Sequence, residues 1–276
     1  MTDVALITGT SSGMGLHAAI ELARSGFHVV ATMRDVNRAD RLLAAAAEAG
    51  TTVDVRALDV VDHAAAATLV SEIEAELGGI AVLLNNAGRG SVASAEQASM
   101  EEVRDQLEVN YLAPVNLTKL VLPGMREGGT GQILTVTSVG GAVGQPFADS
   151  YCGAKFAVEG FMQSLAPVAE RFGVRVSVIE PAAVASDFVT NAERTATGGP
   201  YGEMLDAYIA RSTAAFANAQ SAESAGAAIA AAVLSDEYRF RWQTSEGATA
   251  FVGASLVDTD GSRVLGATRG WIAASS

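Results

Sequence analysis

The chain has 276 residues, 49% hydrophobic and 6% aromatic, and a formal net charge of −13. So acidic a chain, with no basic run, lacks the charge pattern of a nucleic-acid binder and would be repelled by anionic lipid. One cysteine excludes an internal disulfide, and with only three scattered histidines we expect no metal site.

The N-terminus and the longest apolar run bear on location. The chain starts without a basic segment or an apolar stretch of signal length. Its longest apolar run, near residues 225–234, is well short of the ~20 residues that a membrane span needs. We therefore expect a cytoplasmic protein with no membrane insertion and no nucleic-acid partner.

Short β-branched runs alternate with Ala- and Leu-rich helical patterns over the first two-thirds of the chain. The predicted strands are Val4–Thr8, Val29–Thr32, Thr52–Leu58, Ile80–Leu84, Gln132–Thr137 and Val174–Ile179. The helical patterns between them cover residues 14–25, 38–49, 62–77, 100–126 and 150–172. This alternation predicts an α/β fold, a doubly wound parallel sheet (Rossmann fold) with helices on both faces. No linker interrupts the pattern, so we expect residues 1–276 to form one domain.

After Glu180 the alternation of strand and helix patterns gives way to a loop-like sequence. Residues 182–217 are predicted to form a substrate-loop region that ends in a helix over 201–217. A second helix is predicted over 221–235, and a C-terminal extension over 236–276 is expected to contain a last strand near 239–243.

The first predicted strand leads into Thr-Gly-Thr-Ser-Ser-Gly-Met-Gly, residues 8–15. Glycines there allow a tight turn and a close approach to a pyrophosphate at a helix N-terminus, where free N–H groups favour anions. An ordinary strand-to-helix turn is the alternative, but its position as the first such turn favours a dinucleotide. The residues predicted to contact the cofactor are Gly9, Ser11, Ser12, Gly13, Met14 and Gly15.

The end of the second strand bears on the choice of dinucleotide. NAD binders usually place an acid there for the ribose 2′-hydroxyl, but this chain has Met33 followed by Arg34. A guanidinium can meet a 2′-phosphate bidentately, so the sequence favours NADP(H). Asp35 keeps NAD(H) open, because it could pair with Arg34 or serve the ribose.

Two further strand ends carry polar or glycine-rich pairs. Asp59-Val60 could accept the adenine amino group, although Asp59 could instead cap the following helix. Asn85-Asn86-Ala87-Gly88 suits a tight loop whose side chains tie strands together. Asp59, Val60, Asn86, Ala87 and Gly88 are predicted to contact the cofactor.

Tyr151 and Lys155, four residues apart, lie on one face of a predicted helix. An ammonium that close favours the phenolate, so we expect the tyrosine pKa to fall towards neutral pH. Such a phenol is a proton donor for a developing alkoxide, or as phenolate a base for an alcohol.

Together with Asn110 in a helix and Ser138 at a strand end, these motifs resemble the short-chain dehydrogenase/reductase family over about residues 3–190. The segment Val-Val-Ala-Thr-Met-Arg-Asp, the length and the stretch Arg239–Gly253 resemble its retinol and 17β-hydroxysteroid dehydrogenase subgroup.

The resemblance implies a role for each matching residue. Tyr151 would be the acid/base, Lys155 would lower its pKa and hold the nicotinamide ribose, and Ser138 would bind the substrate oxygen. Asn110 would fix a water that links Lys155 to solvent. Pro181, Val184 and Ser186 would contact the nicotinamide, although Ala182 replaces the family's usual glycine. Relatives also imply a homodimer or homotetramer, paired through helices such as 100–126 and 150–172.

Apolar residues around the expected pocket favour an uncharged, hydrophobic alcohol, ketone or aldehyde. Besides Ser138 and Tyr151, the predicted substrate contacts are Val143, Phe147, Phe188 and Met204. The sequence thus predicts an NADP(H)-dependent oxidoreductase. Two alternatives stay open, the same chemistry with NAD(H) and a catalytically idle dinucleotide-binding sensor.

Overall fold

The computed structural model describes residues 2–186, 193–194 and 199–262. Within them the strands are β1 (Val4–Thr8), β2 (His28–Met33), β3 (Asp54–Ala57), β4 (Val82–Asn85), β5 (Ser91–Val92), β6 (Gly131–Val136), β7 (Val174–Glu180), β8 (Val184–Ala185), β9 (Glu193–Arg194), β10 (Gln220–Ser221) and β11 (Arg241–Gln243). The helices are α1 (Gly13–Arg24), α2 (Asp40–Glu48), α3 (His63–Leu77), α4 (Met100–Leu107), α5 (Ala113–Gly128), α6 (Asp149–Glu170), α7 (Gly202–Ala217), α8 (Ala222–Leu234) and α9 (Glu246–Ser255).

Seven strands form one parallel sheet in the order β11-β7-β6-β4-β1-β2-β3. All five residues of the central strand β1 are buried, as expected for a parallel strand that is covered on both faces. The predicted doubly wound fold is confirmed. The predicted last strand joins the same sheet as β11, so residues from both sides of the substrate-loop region share one sheet.

Helices cover both faces of the sheet and bury an aliphatic core against each. On one face α3, α5 and α6 contribute Leu69, Leu117 and Met162. On the other face α1, α2 and α8 contribute Leu22, Leu42 and Ile229. These two layers hold the carboxyl ends of the strands in fixed register.

Several elements differ from the sequence prediction, among them the short strands β5, β8, β9 and β10, which were not predicted. The predicted strand Thr52–Leu58 is shorter, because β3 lies at the sheet edge and pairs only with four residues of β2. The helix α9 lies in a part of the chain for which we predicted no helix. The predicted helix 100–126 is divided by a π-helical turn, Glu108–Leu112, a feature that is frequent at functional sites.

Among the residues that the structure describes, none of the helices combines the length and the apolarity that crossing a bilayer requires.

Candidate active site

The strand order reverses between β1 and β4, so the loops that follow these two strands diverge to opposite faces of the sheet. In open α/β sheets the crevice at such a point is where ligands bind. The loops after β1, β4, β6 and β7 all open on this edge. They carry most of the residues that the sequence singled out.

The glycine turn after β1 is closed by contacts that leave no room for side chains. Gly9 has φ +72°, and a Cβ added to it would lie 2.9 Å from the Ala87 main chain. A Cβ added to Gly15 would lie 2.2 Å from the Asn86 amide nitrogen. That amide donates to the carbonyls of Thr8 and Gly9 at 2.9 and 3.0 Å. The predicted role of Asn86 in tying strands together therefore has a direct geometric basis.

The start of α1 is suited to an anion. Its N-cap residue Ser12 makes no side-chain hydrogen bond to the helix, so the first main-chain N–H groups stay available. A cavity of about 440 Å³ opens beside them, and its wall includes Ser12, Gly13, Arg41 and Ser186. Ser11 and Met14 flank this turn. The glycine geometry, the uncapped helix start and the cavity together fit the pyrophosphate of a dinucleotide.

The residues predicted to choose between NADP(H) and NAD(H) lie next to this turn. Both Gly9 and Thr10 donate their main-chain N–H to the Thr32 carbonyl, which brings the end of β2 against the glycine turn. Met33 is buried and Arg34 is exposed. The Asp35 carboxylate accepts from the main-chain and side-chain nitrogens of Asn37, at 3.0 and 2.9 Å, and so caps a short 3₁₀ turn.

The structure separates the two roles considered for Asp59. The helix α3 is capped by Asp62, whose carboxylate accepts from the Ala65 main-chain N–H at 2.9 Å. Asp59 is therefore not the cap. It is exposed and accepts from the main-chain N–H of Val61, and Val60 is buried in the core.

Ser138 and Tyr151 meet at the carboxyl end of β6. Burial leaves only 9% of Ser138 exposed, and its hydroxyl accepts from the Gly140 main-chain N–H at 2.9 Å. It also forms a hydrogen bond with Tyr151, which lowers the tyrosine pKa. A Cβ added to Gly140 would lie 3.3 Å from both Ser138 Oγ and Tyr151 Cε1. The two hydroxyls thus share one small site.

The pKa expected for Tyr151 was wrong. Burial raises the pKa of Tyr151 to about 12, outweighing the hydrogen bond from Ser138. Lys155 Nζ lies 5.8 Å from the centre of the tyrosine ring and donates to the Val136 carbonyl at 3.0 Å. Burial lowers the pKa of Lys155 to about 8, against the opposing charge of Glu159. Helical spacing predicted that the two side chains are neighbours, but not that burial would dominate both pKa values.

Asn110 lies in the π-helical turn and faces Lys155 across Gly88. Its amide nitrogen donates to the Arg89 carbonyl at 2.9 Å and to the Gln106 side chain at 3.0 Å. A Cβ added to Gly88 would lie 2.9 Å from Asn110 Oδ1 and 3.5 Å from Lys155 Nζ. Both polar atoms therefore border the same space, which only a glycine leaves free.

The predicted substrate contacts have different surroundings in the structure. Phe147 packs its ring 5.6 Å from that of Tyr208 and holds a left-handed main chain with φ +58°. Tyr208 in turn acts on the pKa of Tyr151, so this aromatic pair lies beside the phenol. Val143 packs on a small apolar cluster formed by the turn after Ser138 and α9. Met204 is 55% exposed on α7, and Phe188 lies outside the described residues.

The segment after β7 crosses the glycine turn. The Pro181 carbonyl accepts from the Val139 main-chain N–H at 3.0 Å. Val184 is buried in β8, and a Cβ added to Gly13 would lie 3.4 Å from Ser186 Cβ. Ala182 has no left-handed φ and packs, like Val143 and Leu256, against the small apolar cluster after Ser138, so its side chain is accommodated where the sequence resemblance implies a glycine.

Sequence reasoning missed three buried charged residues beneath this site. Glu159 in α6, Glu180 at the end of β7 and Arg241 in β11 form two ion pairs. A signal was present, because Glu159 lies one helical turn after Lys155 and Glu180 ends an otherwise apolar strand.

Comparisons with known proteins identify the family to which the chain is similar. A family model for the short chain dehydrogenases matches residues 3–197. Retinol dehydrogenase 8 of Homo sapiens is 41% identical over 187 residues, 66% of this chain and 59% of that protein. Estradiol 17-beta-dehydrogenase 1 of Rattus norvegicus is 40% identical over 212 residues, 74% of this chain and 59% of that protein. The matches thus span less than two thirds of these relatives.

Among solved structures, a short-chain dehydrogenase from Streptomyces avermitilis superposes with a TM-score of 0.81. The alignment covers 98% of both chains at 28% identity. The similarity therefore extends over the entire fold and includes the elements after residue 197.

Proposed function

The chain belongs to the short-chain dehydrogenase family, and from that premise we propose that it is an NADP(H)-dependent oxidoreductase acting on a hydrophobic alcohol and its carbonyl partner. The observation that carries the proposal is the convergence of Ser138, Tyr151 and Lys155 beside the glycine turn. Proton-transfer groups and a dinucleotide cradle at one sheet edge are what hydride transfer to a carbonyl requires.

The protonation states suit carbonyl reduction. With a pKa of about 12, the Tyr151 phenol keeps its proton at neutral pH and can donate it to an oxygen on which negative charge develops. Ser138 adds a second hydroxyl at the same point, and pre-placed donors of this kind stabilise the developing charge. Lys155 uses one N–H on the Val136 carbonyl, which leaves its other two for ribose hydroxyls. When bound, the nicotinamide supplies or accepts the hydride.

The preference for NADP(H) is supported by the side chains of the three residues at the end of β2. Asp35 is engaged as the cap of the 3₁₀ turn, and the Met33 side chain has no carboxylate to accept from a ribose hydroxyl. Arg34 is exposed two residues after Thr32, whose carbonyl accepts from the glycine turn, and a guanidinium is suited to a 2′-phosphate.

A hydrophobic substrate is supported by the Phe147 and Tyr208 rings beside the phenol. The names of the similar proteins, retinol dehydrogenase and estradiol dehydrogenase, point to the same substrate class. Retinoids, steroids, quinones and aliphatic ketones form a suitable NADPH-consumption screen. Binding of NADPH without turnover on any of them would favour the idle sensor instead.

Homodimer or homotetramer formation is part of the proposal. Leu112 and Phe156 are 40% and 46% exposed on the two segments predicted to pair between subunits. We expect these two side chains to lie in the interface, because burying them there removes apolar surface from water. Sedimentation equilibrium measures the state directly, and a monomer at micromolar concentration would contradict it.

The proposal is tested by Tyr151→Phe. Removing the proton donor is expected to lower kcat by about 10²- to 10⁴-fold, because that is the usual worth of a positioned acid. NADPH affinity should be unchanged by fluorescence titration. Tyr238→Phe is the matched control, since its hydroxyl bonds the Val176 carbonyl within the sheet. Near-normal turnover by Tyr151→Phe would contradict the assigned chemistry.

The cofactor preference is tested by Arg34→Ala. We expect KM for NADPH to rise by about 10- to 100-fold, the value of a charge-assisted hydrogen bond, while KM for NADH stays within about twofold. Arg38→Ala, also exposed near the end of β2, is the control for a general loss of positive charge. An equal rise for both dinucleotides would reject the 2′-phosphate role and favour NAD(H).

A further inference from the structure

Three charged side chains are buried behind the catalytic groups. Glu159 is 3% exposed, Glu180 is fully buried and Arg241 is 8% exposed. One guanidinium nitrogen, Arg241 Nη1, contacts a carboxyl oxygen of each glutamate. Because a single guanidinium balances only one of two carboxylates, the second negative charge needs another cation nearby.

The contacts of Thr137 indicate that Glu159 is ionised. The Thr137 hydroxyl lies 2.8 Å from Glu159 Oε1 and 3.1 Å from the Ile179 carbonyl. That carbonyl already accepts the Thr137 main-chain N–H at 2.8 Å, so the hydroxyl donates to Glu159. A carboxylate is the stronger acceptor for such a bond. The Glu159 carboxyl group also leaves no room for a Cβ on Gly141, and it therefore rests against the turn that begins at Ser138.

Lys155 can supply the missing cation, because it lies close to Glu159 at the end of β6. It precedes Glu159 by one turn on the same face of α6 and is 4% exposed. Its Nζ donates to the carbonyl of Val136, and the next residue is Thr137, which donates to Glu159. The ammonium and the carboxylate therefore bind adjacent residues of the same strand end.

The four buried charges sum to zero only when Lys155 carries its proton. With Glu159 and Glu180 ionised, Arg241 and the Lys155 ammonium supply two positive charges. A neutral lysine would leave one uncompensated negative charge away from water, which is costly. Burial lowers the pKa of Lys155 to about 8, and the charge of Glu159 opposes that effect.

The titratable and charged groups around this pair come from three elements. Lys155 is faced by Tyr151 and Glu159 of its own helix. Glu159 is faced in addition by Glu180 of β7 and Arg241 of β11. Burial raises the pKa of both glutamates, and Arg241 opposes this rise. The charge of Glu159 contributes to the pKa of about 7 at Glu180, so Glu159 is the first of the two to ionise.

We propose that Glu159 is a positioning residue whose carboxylate holds Lys155 in its protonated form, while Arg241 holds that carboxylate in place. The consequence for the site follows from the number of hydrogens. An ammonium has three N–H groups and uses one on the Val136 carbonyl, so two remain for the ribose of a dinucleotide. A neutral amine has one fewer. The role in cofactor binding rests on the proposed function, whereas the charge of Lys155 does not.

Lysine NMR measures this charge directly. The chain has two lysines, the exposed Lys119 and the buried Lys155. Lysine labelled with ¹³C at Cε therefore gives two signals, and Lys119→Arg assigns them. The Lys155 signal of the wild-type protein should titrate near pH 8. A midpoint below about pH 7 would overturn the proposal, because the lysine would then be neutral at physiological pH.

Two neutral variants test the role of Glu159. Glu159→Gln keeps the shape of the side chain, and Glu159→Met has a similar volume without hydrogen-bonding groups, so one remains if the other does not fold. Both should lower the Lys155 midpoint by about 1–2 pH units, because each removes a nearby opposite charge. Glu170→Gln, exposed at the end of the same helix, is the matched control and should leave the midpoint unchanged. An unchanged midpoint in either folded variant of Glu159 would overturn the proposal.

NADPH binding tests the consequence for the cofactor. When protonated Lys155 is the binding form, Glu159→Gln should bind NADPH about threefold or more weakly than wild type at pH 7.5, but within about twofold at pH 6. Fluorescence titration measures both affinities. Weakening by the same factor at both pH values would indicate a purely structural effect and would overturn the proposed role. Should the wild-type protein bind no NADPH, the proposed function would fail, while the lysine NMR would still decide whether Glu159 holds the charge.

Discussion

The two ends of the sheet edge are stabilised by different physical forces. At the nucleotide end, residues 8–15 and 86–88, glycines, main-chain carbonyls and one amide side chain close the turn. At the catalytic end, the buried ionisable groups Tyr151, Lys155 and Glu180 have pKa values displaced by burial. The first arrangement depends on steric fit and the second on charge, so they should respond to different perturbations.

Gly15→Ala tests the steric end and should have the largest effect. The added Cβ would lie 2.2 Å from the Asn86 amide and 2.6 Å from the Gly9 carbonyl, so the turn has to move. We expect a loss of about 3 kcal/mol or more in the free energy of unfolding, as for other severe backbone conflicts. Urea denaturation measures it, and NADPH affinity should fall as well.

Gly247→Ala is the matched control for this substitution. Gly247 lies in the first turn of α9 as Gly15 lies in that of α1, and the nearest atom to its added Cβ is 4.0 Å away. Alanine should therefore stabilise the helix by about 0.5–1 kcal/mol through its propensity. If both variants were equally stable, the steric account of the nucleotide end would be wrong.

The same difference explains which features of the two ends could be predicted from the sequence. The contacts of the glycine turn join two short segments next to predicted strands. Motif and spacing were therefore enough to predict the tight turn at Gly9 and Gly15 and the role of Asn86 in tying strands together. Glu159 and Arg241 are 82 residues apart and meet only because β11 pairs with β7. No local pattern specifies that pairing. The π-helical turn at Asn110 was missed for a similar reason, because tertiary bonds to Arg89 hold it.

The buried ionisable groups at the catalytic end should make stability depend on pH. The pKa of Glu180 is higher in the folded than in the unfolded protein, about 7 against 4.5, so the folded state binds more protons between these values. The free energy of unfolding should therefore fall by about 2–3 kcal/mol as pH rises from 4.5 to 7.

Lys155 should change the free energy of unfolding in the opposite direction, at higher pH. Its pKa is lowered to about 8 from 10.5, so the unfolded state binds more protons between these values and stability should rise again. Denaturation at a series of pH values should thus show a minimum near pH 7–8. Glu180→Gln, which does not titrate, should reduce the acidic limb and leave the basic limb unchanged, since burial also raises the pKa of Glu159 and keeps part of the acidic limb. An unchanged acidic limb in that variant would show that other carboxyl groups cause it.

Asp62→Ala should have the smallest effect, and it separates helix capping from adenine binding at the nucleotide end. The Asp62 carboxylate caps α3 through the Ala65 N–H at 2.9 Å, whereas Asp59 makes only a 3.3 Å contact with Val61. Loss of an N-cap costs about 1 kcal/mol, so Asp62→Ala should lower stability by that amount and leave KM for NADPH unchanged. Asp59→Ala should do the reverse if Asp59 binds the adenine amino group. Equal stability loss in both variants would mean that Asp59 supports the helix as well, and the role in adenine binding would lose its basis.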